Sequence, residues 1–175
     1  MTSLKTYQIP TPLGDLTLVL ERETLVFLDF SDNLERMNRL LGRRFGSYSL
    51  EQMIHETEFS SRISEYFAGD FSALEGLSIS TGGTEFQQKV WQALLEIPAG
   101  QTWSYGQLAE HLGSPRAVRA VGQTNGLNPI GLVLPCHRVI GANGTLTGYA
   151  GGLERKKWLL EHERNGVGAL FSLGG

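Results

Sequence analysis

The chain holds one cysteine, Cys136, followed directly by His137 and Arg138. A thiolate, not a thiol, attacks electrophilic carbon, so a cysteine that does chemistry needs a base or cations beside it to favour loss of its proton. On the other side, Pro135 fixes φ and cannot extend a β ladder. The sequence therefore predicts a buried strand over Leu132-Val133-Leu134 that stops at Pro135, with Cys136, His137 and Arg138 on the turn beyond. The competing reading is a small core residue, since cysteine is among the most buried residue types; flanking His and Arg make it a poor apolar filler. An imidazole acting as base is normally oriented by a carboxylate or carbonyl. Glu163 is a candidate for that partner and equally a solvated charge at a helix end. Residues 141–152 (GANGTLTGYAGG) lack the Lys-Ser/Thr of a phosphate loop and the strand-then-helix setting of a dinucleotide fingerprint. They read either as the mobile wall of a pocket, with Tyr149 free to stack or hydrogen-bond, or as a loop whose glycines make turns.

These residues need elements to hold them. A helix is expected from Leu153 to Glu163, docked through Leu153, Trp158, Leu159 and Leu160. Upstream, Thr84 with Gln87 forms a capping box that opens a helix with a stripe of Phe86, Val90, Trp91, Leu94 and Leu95, stopped at Pro98-Ala99-Gly100. Ser104 with Gln107 repeats the device for a short helix ending at Gly113. Ser114 with Pro115 at the first helical position starts a third, ending at Asn125-Gly126 as a left-handed C-cap pair. Two short helices across a tight turn form a helix-turn-helix pattern, which is also an ordinary αα-hairpin of a core. Before them, Leu16–Leu20 and Leu25–Phe30 flank a polar turn as a hairpin, residues 31–45 look helical, and Phe59, Ile63, Tyr66 and Phe67 share one helical face. Ser78 to Gly83 reads as a linker.

Composition bounds the function. The 175 residues, 41% hydrophobic and 19% charged, suit one domain or two small ones. A collagen, a coiled coil and a disordered tail are excluded, and no apolar run or leader points to a membrane or to export. The expected location is cytoplasmic. A single thiol forms no internal disulfide and excludes zinc sites built on two or more thiolates. Charge divides unevenly: residues 1–83 carry net −5 and residues 84–175 net +2. Nucleic acid is permitted by this balance and not required by it.

The hexapeptide Pro135-Cys136-His137-Arg138-Val139-Ile140 closely resembles the active-site motif of the alkylguanine-DNA alkyltransferases, also called methylated-DNA-protein-cysteine methyltransferases. The resemblance runs through Ser104-Tyr105-Gly106-Gln107-Leu108-Ala109, Arg119-Ala120-Val121-Gly122, Asn128-Pro129, residues 147–152 (TGYAGG) and Lys156-Lys157-Trp158-Leu159-Leu160. It covers essentially all of residues 84–163, with weaker likeness at Thr11-Pro12-Leu13-Gly14 and Tyr66-Phe67-Ala68-Gly69 to the bacterial constitutive members.

The resemblance implies an α+β protein. An N-terminal α/β domain (1–80) with a small antiparallel sheet, ribonuclease H-like, precedes a helical, winged-helix-like DNA-binding and active-site domain (81–175) with the helix-turn-helix. It implies Cys136 as alkyl acceptor, His137 as the base acting through a water, Glu163 as the carboxylate that orients His137, and Asn128 as a brace of the active-site turn. Tyr105, Val139, Tyr149, Ala150 and Lys156 would meet the guanine, with Ala150, where many members have serine, contributing its main chain. Arg119 would be the arginine finger that fills the gap left by a flipped nucleotide, with Arg116, Tyr105 and Arg138 also on the DNA side. The partner would be double-stranded DNA carrying O6-alkylguanine, entered through the minor groove by a monomer; cooperative binding and action on O4-alkylthymine are left open. A thioether has no easily hydrolysed bond and no second thiol can remove the group, so one turnover per molecule is expected; the thiolates of the zinc sites that some members carry are missing from this sequence, so no metal is expected, and no cofactor. A lesion sensor with an inert Cys136 and a cysteine hydrolase are the other two readings.

Overall fold

A computed structural model describes the backbone of residues 1–174 and the side chains of residues 1–166. The chain divides into two compact units: residues 1–83 joined by Pro129–Val133, and residues 84–128 with 134–175.

In the first unit a four-stranded sheet is built from β1 (Thr2–Ile9), β2 (Leu16–Glu21), β3 (Thr24–Phe30) and β4 (Tyr48–Gln52) in the order β3-β2-β1-β4. β2 and β3 are buried along almost their whole length, which is why they read as continuous apolar runs. α1 (Leu34–Phe45) sets Met37 and Leu41, one turn apart, against Leu4, Val19, Val26 and Phe27. The sheet is mixed, not antiparallel as expected. α1 serves as the crossover that brings β4 alongside β1 in parallel, and a two-residue turn could not make that connection. α2 (Glu58–Phe67) buries Phe59, Ile63 and Tyr66, opened by a capping box of Thr57 and Ser60. On β3, Asp29 accepts from Arg36 Nη1 at 2.8 Å; burial pushes its carboxyl up and the guanidinium opposes that.

The free edge of β3 is covered twice. Leu25 exchanges backbone bonds with Ser78 and Ser80, each at 2.9 Å, so the segment expected to be a linker is docked on β3 through a single parallel bridge at Ile79; Arg44 secures it by donating to Ser80 Oγ at 2.7 Å and to the Ser80 carbonyl. Leu28 does the same with Pro129 and Gly131, again at 2.9 Å. Capping an edge strand removes a template for intermolecular pairing. At Gly131 a Cβ would come within 3.3 Å of the Leu28 carbonyl, so the close approach favours glycine.

The second unit is helical. α3 (Glu85–Leu94) and α4 (Tyr105–His111) both start with the predicted capping boxes, Thr84/Gln87 and Ser104/Gln107. Val90, Trp91 and Leu94 are buried as expected, while Phe86 and Leu95 are exposed. α4 ends in a Schellman motif: Ser114 N–H reaches the Ala109 carbonyl, Gly113 N–H reaches that of Glu110, and Gly113 takes φ +72°. α5 is Val118–Gly126, three residues shorter at its start than predicted. Pro115 and Arg116 lie inside a turn closed by Ala117 N–H to the Ser114 carbonyl, where proline's fixed φ suits the second position. Two-residue strands β5 (Trp103–Ser104) and β6 (Val139–Ile140) pair in parallel, and α6 (Leu153–Gly174) runs on past Glu163. No helix among the described residues is long and apolar enough to cross a membrane.

Candidate active site

The approach to Cys136 is not a strand. Val133 N–H bonds back to the Gly131 carbonyl with Leu132 at φ +71°, a γ-turn on a bulky residue that costs about 1–2 kcal/mol of backbone strain. Cys136 N–H then bonds to the Leu134 carbonyl at 2.7 Å around Pro135, whose φ −79° and ψ 65° make an inverse γ-turn. Leu132, Val133 and Leu134 are buried, so the apolar run reported burial correctly and the ladder wrongly. The turns deliver Cys136, His137 and Arg138 into one turn of 3-10 helix.

His137 is fully buried, and its Nε2 lies 2.9 Å from Glu163 Oε2. Glu163, also fully buried and mid-helix, accepts from Arg138 Nε at Oε1 and from Arg138 Nη2 at Oε2, both at 2.8 Å. Burial alone would raise the Glu163 carboxyl; His137 and Arg138 outweigh it and hold the group well below the usual range. Burial lowers His137; Glu163 pulls against that, and the cations of Arg138 and Lys156 add to the lowering. The imidazole is thus neutral at pH 7. Its Nε2 must carry the proton, because an ionised carboxylate only accepts. Nδ1 is left as an acceptor, and it is buried with no hydrogen-bond partner among the described residues. An acceptor nitrogen held in this way is able to take up a proton.

Lys156 is the second buried charge. From α6 its Nζ donates to the Val139 carbonyl at 2.6 Å and to the Thr147 carbonyl at 2.8 Å. Burial lowers the ammonium, to about 8 once the opposing pull of charge on Cys136 is included. By reciprocity the ammonium favours the thiolate. Tyr105, first residue of α4, donates its hydroxyl to the same Thr147 carbonyl at 3.3 Å. The glycine-rich loop is therefore anchored at Thr147, with Gly144 and Gly148 at positive φ where it turns. Tyr149 beyond the anchor is half-buried and Ala150 exposed.

Asn128 donates its Nδ2–H to the Leu134 carbonyl at 2.7 Å. A residue that sequence reasoning missed sits beside it: Asn125, 3% exposed, donates Nδ2–H to the Cys136 carbonyl at 3.3 Å. Asn125-Gly126 looks like a left-handed cap pair, but both residues lie within α5 and neither has positive φ.

The residues that carry this geometry lie in the part of the chain, 85–165, that matches the family model of the 6-O-methylguanine DNA methyltransferase DNA-binding domain. Similarity reaches further. A methylated-DNA–protein-cysteine methyltransferase of Salmonella typhimurium is 48% identical over 166 residues, covering 93% of this chain and 97% of that one. One from Mycobacterium tuberculosis is 41% identical over 168 residues, 94% of this chain and 95% of that one. The chain belongs to this methyltransferase family. Its fold is likewise similar to a crystal structure of Mycobacterium tuberculosis OGT in complex with DNA, at a TM-score of 0.79 and 39% identity over 93% of this chain and 94% of that one.

Within this methyltransferase framework the expected residues other than Tyr105, Tyr149 and Ala150, placed above, fall into three groups. Cys136, His137, Glu163, Lys156, Val139 and Asn128 are linked by the contacts described above. Arg119 on α5 and Arg116 in the turn before it are exposed and make no side-chain bond among the described residues. Arg138, expected on the DNA side, has its guanidinium turned inward: besides Glu163 it donates Nη1–H to the Ile97 carbonyl at 2.7 Å, and its side chain is 11% exposed. Its part is to hold Glu163 ionised.

Proposed function

We propose that this methyltransferase repairs double-stranded DNA by taking the alkyl group of O6-alkylguanine onto Cys136, once per molecule. The observation that carries the reading is the neutral, buried His137, hydrogen-bonded to Glu163 and next in sequence to the chain's single thiol. His137 Nδ1 takes the Cys136 proton through a water, and Lys156 favours the resulting thiolate. Sulfur attacks the alkyl carbon in line, the carbon–O6 bond breaks, and its electron pair stays with the guanine, where hydrogen bonds meet the charge that develops. The proton held by His137 then passes through the water to the guanine, which leaves neutral. The displacement balances without a cofactor, and its product is a thioether that no second cysteine can reverse.

Tyr105, Val139, Tyr149, Lys156 and the main chain of Ala150 surround the flipped guanine. Lys156 acts there through the carbonyls it holds. α5 enters the minor groove, where readout is degenerate and recognition falls to the site itself. Arg119 fills the place of the extruded nucleotide and Arg116 meets backbone phosphate. The protein acts as a cytoplasmic monomer, with the DNA-facing residues confined to the part from 81 to 175.

The test is intact-mass measurement after mixing the protein with a duplex bearing one O6-methylguanine, with peptide mapping. A gain of one methyl on Cys136, saturating at one per chain, is the expected result. Unchanged mass with tight binding would make the protein a lesion sensor, and repeated turnover of an ester would make it a hydrolase.

A further inference from the structure

Two backbone carbonyls bracket the nucleophile, those of Leu134 and Cys136, and each accepts from an asparagine amide, that of Asn128 two residues beyond α5 and that of Asn125 in its last turn. Of the pair only Asn128 was expected at the site. Asn125 is 3% exposed, and its orientation is settled by its partner, because only Nδ2 can donate to the Cys136 carbonyl. Its Oδ1 is consequently buried with no hydrogen-bond partner among the described residues. A leucine of similar size would fill the space without stranding an acceptor, so an asparagine here carries a cost that packing does not explain.

The last turn of α5 is itself fixed, since Trp91 Nε1 of α3 donates to the Thr124 carbonyl at 2.8 Å. The amide of Asn125 therefore hangs from a held helix and reaches the backbone of the cysteine. Six residues earlier the same helix carries the exposed Arg119.

We infer that Asn125 is a positioning residue for alkyl transfer: it completes a two-asparagine clamp on the Leu134–Cys136 backbone and fixes the sulfur relative to the helix that carries Arg119. This rests on the reading of Cys136 as the alkyl acceptor. An in-line displacement is sensitive to the placement of its nucleophile, and a shift of about 1 Å can slow a reaction on the order of a hundredfold.

The experiment compares the full-length protein with Asn125→Leu. It measures the rate of alkyl transfer from free O6-benzylguanine and from a methylated duplex, the rate and pH profile of Cys136 alkylation by iodoacetamide, and Tm. Iodoacetamide needs a thiolate and little orientation, so it separates ionisation from placement. The expected result is a fall of about tenfold or more in transfer from both substrates, an unmoved iodoacetamide profile, and Tm equal to or above wild type. Wild-type transfer rates in the variant would overturn the inference. So would an equal loss of iodoacetamide reactivity, which would mean that Asn125 acts on ionisation or access. If the leucine variant does not fold, Asn125→Ser, whose hydroxyl is too short to reach the carbonyl, is read against the same two outcomes. Absence of transfer in the wild-type protein would instead sink the acceptor reading of Cys136, a failure separate from that of the clamp.

Discussion

His137 Nε2 and Glu163 Oε2 lie 2.9 Å apart with neither side chain exposed to solvent, and the carboxylate that accepts the imidazole N–H is itself gripped by two nitrogens of Arg138. The order of these bonds decides what His137 can do. Arg138 keeps Glu163 ionised, Glu163 keeps the proton on Nε2, and Nδ1 is thereby left as a base.

Glu163→Gln tests that chain of dependence. An amide can donate to Nε2, which moves the proton to Nδ1 and removes the acceptor. Transfer to Cys136 is expected to fall by about 10²–10⁴-fold, the usual contribution of general-base catalysis, while affinity for unalkylated duplex stays within about twofold because the groups changed are internal. Single-turnover rates and a binding titration check both. A variant that transfers at the wild-type rate would show that His137 is not the base.

The same network fixes the direction of acid stability. Folded His137 titrates below its ordinary 6.5, so below pH 6.5 the unfolded chain binds a proton that the folded one does not, and stability is lost as pH falls. Glu163 is depressed below its ordinary 4.5, so its contribution, present above pH 4.5, is lost below it. Stability should begin to decline just under pH 6.5 as His137 is linked and decline under 4.5 as Glu163 is, by up to about 1.4 kcal/mol per pH unit for each proton linked. Trp91, Trp103 and Trp158 all belong to the second unit, so denaturant unfolding followed by tryptophan fluorescence reads that unit alone. A flat stability between pH 7 and 5 would mean that His137 is not held neutral.

Much of this was legible in the sequence, and the failures have physical causes. The capping boxes at Thr84 and Ser104 located two helix starts because a capping hydrogen bond is local chemistry. β1 and β4 gave little signal, since β1 buries few of its residues and β4 is an exposed edge held by main-chain pairing that side-chain patterns do not report. Leu132-Val133-Leu134 was read as strand because burial and β-structure share one apolar pattern, while γ-turns leave no mark on composition. At the site, the Cys136-His137-Arg138 run and Glu163 could be picked out by residue type. What could not be read was direction: that Arg138 faces Glu163, and that Asn125 turns into the protein rather than ending its helix.

Lys156→Met separates a charge from the space it fills. The ammonium gives up two hydrogen bonds in the exchange, but its burial is also unfavourable, and replacing a buried charge by an apolar group of similar size is often near neutral. Tm is expected to move by no more than about 2–4 °C, the shift that roughly 1 kcal/mol causes in a chain of this size. Transfer should slow by about tenfold or more as the thiolate loses its neighbouring cation. A collapse of Tm with normal transfer by the folded fraction would make Lys156 a brace only.

Alkylation should leave its own trace. Cys136 is 8% exposed, so a methyl on its sulfur enters packed surroundings at a cost of roughly 1–3 kcal/mol. Protein methylated to completion is expected to melt below the unmodified form by about 2–4 °C for each kcal/mol. Calorimetry of the two forms checks this, and an equal or higher Tm after methylation would mean that the thioether has room.

Arg119→Ala tests whether α5 acts on DNA or on the transfer itself. Arg119 is exposed and remote in role from the His137–Glu163 network, so its loss should leave transfer from free O6-benzylguanine unchanged. In duplex the side chain would no longer occupy the gap left by the extruded nucleotide, and unstacking, a matter of a few kcal/mol, would go uncompensated. Transfer from duplex should then fall by about tenfold or more, since each 1.4 kcal/mol is a factor of ten. Single-turnover rates on the two substrates give the ratio directly. Equal losses on both would place Arg119 in the active site, and no loss on either would remove α5 from the account of how the damaged base is reached.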